Sequence, residues 1–396
     1  MEKYSNWRDP ATGIQPFLPP VFPRSGSSLF VAFLAPLCIV HSIVRGVLLA
    51  VLGTIHVLLV DWLCLLLVPI PPLYRAVNGY LTALTCRLAL MLMGYWWIST
   101  ELVSPRRGGR WTDRGADRKA GVSQIYKRSP RRGDLVLANW TSYVEVLYLA
   151  FRHNPTFLLP VYSNDIFQEL PKTGRHTGTG SAAINTTTAV VQPPLLGYLP
   201  YTLTSLLART GLPPAQYDVP PKGMYKTLRE ARRKEKRPVV LFPEGTTGNG
   251  RAILKFGEGI LAEGDVGGDD EGIVWVKFFR HSAPTAFSPS ATCPLPTPLK
   301  HLFLSQLYTP TLYSRRSLHI RTLHPTASPS SPSFLPGEIL NNQPGGLDAA
   351  GKDHKSVWRE ACAVVLAEVG KVRRVKGMGW AEKKAFLEYW ARGGKR

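Results

Sequence analysis

Cysteine is scarce in this sequence and nowhere paired. Cys38, Cys64, Cys86, Cys293 and Cys362 form no CxxC motif and no metal-ligand spacing. An odd, sparse set argues against a secreted disulfide framework and for a reducing compartment. The three in the apolar first third are most simply small hydrophobes. Acidic side chains are also few: 27 Asp and Glu face 48 Lys and Arg, a net charge of +21. That balance calls for a polyanionic partner, whether nucleic acid, an anionic membrane surface or a phosphorylated substrate. No internal repeat and no RNA- or DNA-binding signature is present, so charge alone speaks for nucleic acid, and none is expected as a partner. The start of the chain carries no cleavable-signal pattern, because its apolar run begins only at Leu29.

What is abundant is apolar sequence near the N-terminus. Residues 1–28 read as a cytosolic tail, and 29–98 as membrane-embedded helices or a hairpin. The best window, Gly46 to Ile70, exceeds the ~20 residues a helix needs to cross a bilayer. Asp61 within it is costly in hydrocarbon unless paired or near an interface. Residues 104–132 hold ten Lys and Arg against two Asp, which places the 99–132 stretch as a basic loop on the cytosolic side. The tail is weakly basic too, so both flanks prefer the cytosol. This favours a hairpin or a monotopic helix over a single span. Beside such a segment the basic loop is better read as contact with anionic headgroups than with nucleic acid.

From 133 onward apolar strand signals alternate with helical periodicity. Strands are expected at Gly133 to Asn139, Phe157 to Tyr162, Val239 to Phe242, Ile273 to Phe279 and Leu318 to Leu323. Helices are expected at Tyr143 to Arg152, Lys222 to Lys236 and Ile253 to Ala262. The alternation predicts an α/β domain over 133–325, a mixed sheet with crossover helices. A linker at 326–356 and a basic helical segment at 357–396 follow. The last part of that segment reads as an amphipathic surface helix or a solvated one.

The most informative stretch is Val239 to Arg251, VVLFPEGTTGNGR. A short buried strand ends at Pro243, which has no N–H to donate. Gly245, Gly248 and Gly250 then allow close backbone approach, flanked by Glu244 and Arg251. A strand-end turn of this make-up suits an anion such as phosphate, although an ordinary αβ connection has the same composition.

Phe242-Pro243-Glu244-Gly245-Thr246 resembles the FPEGT block of the glycerolipid acyltransferases, the PlsC-like or 1-acylglycerol-3-phosphate acyltransferase family. The resemblance covers about 133–280, and the FPEGTTGNGR form is most similar to fungal lysophosphatidic acid:acyl-CoA acyltransferases. It implies a glycerol-3-phosphate acyltransferase-like fold and transfer of a fatty acyl group from acyl-CoA to a lysophospholipid. The acceptor phosphate would rest on Glu244, Gly245, Thr246, Thr247 and Arg251. Acyl-CoA is then a co-substrate, with no metal or cofactor, and the enzyme would face the cytosol on endoplasmic reticulum or lipid droplet. The family's His and Asp, with four residues between them at a strand-to-helix junction, fall at Trp140 and Glu145. Indole nitrogen only donates, so Trp140 cannot be a base. Glu145, His153 and His176 are the substitutes the sequence offers, while Ser142-x-x-Glu145 also fits a capping box. The region of Leu196 to Gly211 offers Arg209 to the phosphate. The alternative is a catalytically impaired lipid-binding or membrane-organising protein on the same scaffold.

Overall fold

Sequence period and structure agree best in the sheet. The computed structural model describes residues 4, 7–21, 28–105, 111–112, 129–164, 192–266, 272–296, 307–309, 316–341 and 354–392. In chain order the strands are β1 (Ile98–Pro105), β2 (Trp111–Thr112), β3 (Leu135–Ala138), β4 (Thr156–Ser163), β5 (Leu195–Tyr201), β6 (Gln216–Tyr217), β7 (Val239–Leu241), β8 (Ala252–Ile253), β9 (Val274–His281), β10 (Leu318–Leu323) and β11 (Arg373–Arg374). The main sheet runs β2-β1-β10-β9-β3-β7-β4-β5, with β6 on β4, while β8 and β11 pair apart. Its centre, β9-β3-β7-β4, is parallel, and β10 and β5 run antiparallel to their inner neighbours. The expected mixed α/β sheet is therefore present.

Parallel strands need crossovers and cover on both faces. Alternate residues of the central strands feed two cores. Leu135, Leu137, Leu241, Val274 and Val276 face one layer, where helices α5 (Leu228–Lys234) and α8 (His354–Gly370) pack. Val136, Ala138, Val240, Phe242 and Trp275 face the other, covered by α3 (Tyr143–His153) and α2 (Pro71–Leu92). The period of two along each strand thus sorts neighbouring residues into opposite layers.

The apolar N-terminal third forms a helical hairpin. Helix α1 (Ser28–His56) continues through a π turn, Val57–Trp62, and a 3-10 turn, Leu63–Leu67. The helix α2 then returns, with Pro71 in its first turn, where a missing N–H costs nothing. His56 Nδ1 lies 2.7 Å from Thr85 Oγ1, tying the two helices. The span Ala32–Leu67 is long and apolar enough to cross a membrane, and only 17% of its most apolar window is buried. Cys38, Ser42, Arg45, His56, Val60 and Cys64 form its buried stripe, spaced three, four or more residues apart. The opposite side leaves Val40, Val44, Val47, Val51, Leu58 and Leu66 exposed.

Several expectations are corrected. Residues 98–105 are not loop but a strand, paired in parallel with β10 from Ile98↔Leu318 to Val103↔Leu323. The rest of the basic stretch, apart from 111–112 and 129–132, lies outside the described residues, as does all of 165–191 with His176. Ile253 to Ala262 is not helical. Glu244 takes the Leu254 N–H, Met378 O takes the Lys255 N–H, and Leu261 adopts φ 55°, so no i→i+4 ladder forms. The basic helix expected at Lys222 to Lys236 contracts to α5, because Thr227 caps it by accepting from Glu230 N–H. Within the expected linker a 3-10 turn, Pro325–Ala327, and helix Pro336–Asn341 are formed.

The described parts of the two terminal segments pack on each other. Helix α9 (Trp380–Ala391) buries Trp380, Lys383 and Phe386. Tyr4, Trp7 and Phe17 of the N-terminal segment pack on Phe386, with ring centroids 5.5–6.1 Å apart. The N-terminal tail therefore closes over the last helix.

Candidate active site at the strand ends

Because β7, β3 and β9 are parallel neighbours, their C-terminal ends open on one edge of the sheet. Open parallel sheets bind ligands at that edge. Asn139, just past β3, locks two of these ends together. Its Nδ2 donates to Phe279 O at 3.0 Å, and its Oδ1 accepts from Phe279 N–H at 2.7 Å.

Trp140 follows and is fully buried. It stacks on Phe242 with centroids 5.0 Å apart, and its Nε1 donates to Ser142 O at 3.1 Å. The position where the resemblance calls for a base is thus part of an aromatic layer that also contains Phe157, stacked on Phe242. Ser142 caps α3 by accepting from Val144 N–H, while Glu145 leaves the capping-box role. Glu145 Oε1 instead accepts from Thr141 Oγ1 and lies 2.8 Å from His281 Nε2. Both side chains are deeply buried, Glu145 completely and His281 to 5% exposure. The Tyr95 hydroxyl stands 3.5 Å from His281 Nδ1. With Nε2–H held by the carboxylate, the Nδ1 lone pair points toward that phenol.

His281 is the residue that sequence reasoning missed. It stands two residues beyond the strand expected at Ile273 to Phe279. Parallel pairing of that strand with β3, Leu135↔Val274 through Ala138↔Lys277, carries it past the Trp140 turn. The signal was therefore the strand order, which no local pattern supplies. Two other candidates lie elsewhere. His153, at the far end of α3, sits 3.0 Å from Lys277 Nζ and 3.0 Å from Ser129 Oγ. Burial, with the Lys277 and Arg152 charges, holds it down at about 2. Arg209 donates to Pro213 O at 2.8 Å and so braces its own loop.

The glycine-rich loop touches this junction from the other side. Gly248 N–H donates to Trp140 O at 3.1 Å, and Thr247 Oγ1 donates to Cys293 O. Gly245 has φ 66°, and a Cβ there would meet Pro214 Cγ at 2.9 Å, so glycine is required. Yet Glu244, Gly245, Thr246 and Thr247 are all buried, and Arg251 alone of the expected phosphate ligands is exposed. Asn249 fastens the loop to the N-terminal segment through Gln15 O and Leu18 O. Lys383 reaches in from α9, donating to Thr247 O at 2.7 Å and Thr247 Oγ1 at 3.2 Å. Glu244 accepts from Leu254 N–H at 3.2 Å, and burial pushes its carboxyl up to about 8. Burial likewise pushes the Lys383 amine down to about 7, against the attraction of Glu244. The loop is thus a brace between the chain ends and the β3 turn.

An apolar cavity of about 350 Å³ lies between the hairpin and the domain. Leu49, Gly53 and Met93 come from the hairpin side, Tyr143 and Leu147 from α3, and Leu207 from the helix Leu203–Ala208. Tyr143, which lines the cavity, also lies within electrostatic reach of Glu145. Comparison of the chain with family models, with curated proteins and with solved structures gives no match.

Proposed function

We propose that this chain is a membrane-bound acyltransferase that moves a fatty acyl group from acyl-CoA to a lysophospholipid, with lysophosphatidic acid converted to phosphatidic acid. The observation that carries this reading is the 2.8 Å contact between Glu145 and His281 at the strand-to-helix junction, on a domain that also holds an apolar cavity under the hairpin. A buried carboxylate that orients an imidazole supplies a general base and holds the charge it acquires. His281 thereby does what Trp140 cannot. Its Nδ1 takes the proton of the acceptor hydroxyl as the hydroxyl oxygen attacks the thioester carbonyl. The C–O bond forms, the C–S bond breaks, and the thiolate of coenzyme A leaves with the proton returned from His281. No covalent enzyme intermediate is needed.

The apolar hairpin supports attachment to a bilayer. Its buried stripe is used against the domain, Arg45 through Thr309, so the exposed apolar side is the one offered to lipid. A helix lying in the interface satisfies both sides, whereas a perpendicular span would draw Thr309, which Arg45 contacts, toward hydrocarbon. On this reading the α/β domain faces the cytosol on endoplasmic reticulum or lipid droplet, a placement that rests on the FPEGT resemblance.

The test is transfer from labelled oleoyl-CoA to lysophosphatidic acid by the purified full chain, with His281→Ala and Glu145→Gln as controls. Phosphatidic acid above both controls supports the reading. Wild-type product no greater than theirs leaves the second reading, a lipid-binding protein on the same scaffold. The filled Trp140 site and the buried glycine-rich loop favour that alternative.

A further inference from the structure

Arg316 stands just before β10, and its backbone N–H donates to Gly94 O at 3.1 Å. The residue is only 4% exposed, yet Nε and both terminal guanidinium nitrogens lack a hydrogen-bond partner. No carboxylate pairs with it among the described residues. Its neighbours make this stranger. The Tyr95 hydroxyl lies beside the guanidinium without hydrogen-bond geometry, and Tyr143 lies within reach of its charge. Arg45 of α1 is close enough to repel it. A buried, unpaired cation next to a second cation is costly in a folded protein and persists where a ligand neutralises it.

The geometry points to Arg316, with Arg45 nearby, as the anchor for the phosphate monoester of an amphiphile whose chain lies in the cavity lined by Met93 and Tyr143. Three features select that ligand. A guanidinium presents a planar fork that matches phosphate bidentately. Two adjacent cations call for a dianion more than for a phosphodiester with one charge. The cavity beyond Tyr143 is apolar, which suits a hydrocarbon chain on the same molecule. Tyr95 bridges the two chemistries, since it touches both Arg316 and His281. A phosphate held at Arg316 would thus leave the glycerol hydroxyl facing His281 Nδ1. This rests on the acyltransferase reading for the hydroxyl, but not for the phosphate. It also moves the phosphate site away from the buried loop 244–251.

The experiment uses the purified full chain in neutral detergent and reads both binding and thermal unfolding. The probes are oleoyl lysophosphatidate, mono-oleoylglycerol and inorganic phosphate. Wild type should bind the phosphate-bearing lipid more tightly than mono-oleoylglycerol, with inorganic phosphate alone giving little protection. Arg316→Met should weaken lysophosphatidate binding about 10- to 100-fold, the worth of a charge-assisted hydrogen-bond pair, and leave mono-oleoylglycerol unchanged. Without ligand the same variant should melt no lower than wild type, because it removes an unpaired buried charge. A structural arginine would give the opposite shift. Arg316→Lys keeps the charge without the fork and should bind at an intermediate level; it serves as the test if Arg316→Met fails to fold. Equal binding of lysophosphatidate by wild type and variant overturns the inference. So does a wild type that does not distinguish the two lipids, or that inorganic phosphate protects equally well. Phosphate-selective binding through Arg316 with no acyl transfer would keep this inference and remove the acyltransferase. Undiminished transfer to lysophosphatidate by Arg316→Met would do the reverse.

Discussion

Placing a histidine at position 140 should not create a base, and the reason lies in what Trp140 packs against. Its indole is fully buried, stacked on Phe242 at 5.0 Å and bonded through Nε1 to Ser142 O. Replacing a buried Trp by Ala costs about 3–5 kcal/mol through lost transfer energy and the cavity left behind. Imidazole keeps part of the ring, so Trp140→His should cost roughly 2–3 kcal/mol, including the burial of a second ring nitrogen without a partner. At about 2–4 °C per kcal/mol this is a fall in Tm of roughly 4–12 °C. The Thr141 and Ser142 backbone then loosens, and with it the carboxylate that holds His281. Activity should therefore fall, not rise. The assay is oleoyl transfer by Trp140→His, His281→Ala and the double variant, each with its melting curve. A tenfold gain in rate for Trp140→His that survives His281→Ala would refute the reasoning, because the base would then sit at 140.

Removing His281, the proposed base, should act on the chemical step. His281→Gln is expected to lower kcat by about 10²–10⁴-fold with little change in KM, and an unchanged kcat in single-turnover kinetics would exclude it. The Glu244 and Lys383 pair should give the fold a shallow stability minimum. Glu244 is raised from 4.5 to about 8, so the folded state holds more protons and stability falls as pH rises through that window. Lys383 is lowered from 10.5 to about 7, so the unfolded state holds more protons and stability rises from about 7 toward 10.5. Tm against pH should dip near 7–8, and Glu244→Gln with Lys383→Met should flatten it; a maximum there would contradict the pair's burial. Val51→Glu or Leu66→Glu, both on the exposed apolar side of the hairpin, should weaken flotation with liposomes while leaving the soluble-domain melting curve in place. Retained flotation would show that this side does not meet lipid.

The sheet was legible because each central strand carries its own signal. Leu135 to Ala138 and Val239 to Leu241 are short apolar runs bounded by breakers, as buried parallel strands require. Helix α3 was legible from its period and from Ser142 as its cap. The 253–262 segment was not, since its fate depends on Glu244 and Met378, residues outside it that take its backbone N–H groups. The chain ends were misread for a related reason. Tyr4, Trp7 and Phe17 look like scattered tail aromatics until Phe386 and Trp390 are brought to them by the fold.

The site divides along the same line. Trp140 and Glu145 were found because their spacing is local, and Trp140 was already chemically excluded as a base. The partner that gives Glu145 its use, His281, is 136 residues away and becomes visible only when β9 pairs with β3. Arg316 is more remote still from any motif: its meaning comes from lacking a partner, which a sequence cannot express. The same asymmetry explains why the glycine-rich loop drew the phosphate assignment. Its glycines and Glu244 do serve close approach, but the groups that approach are the chain's own, Pro214, Lys383 and Asn249 with the N-terminal segment. A loop rich in donors is satisfied from within when both chain ends close on it. Among the described residues, a buried guanidinium whose three nitrogens all lack a hydrogen-bond partner stands instead at Arg316, just before β10.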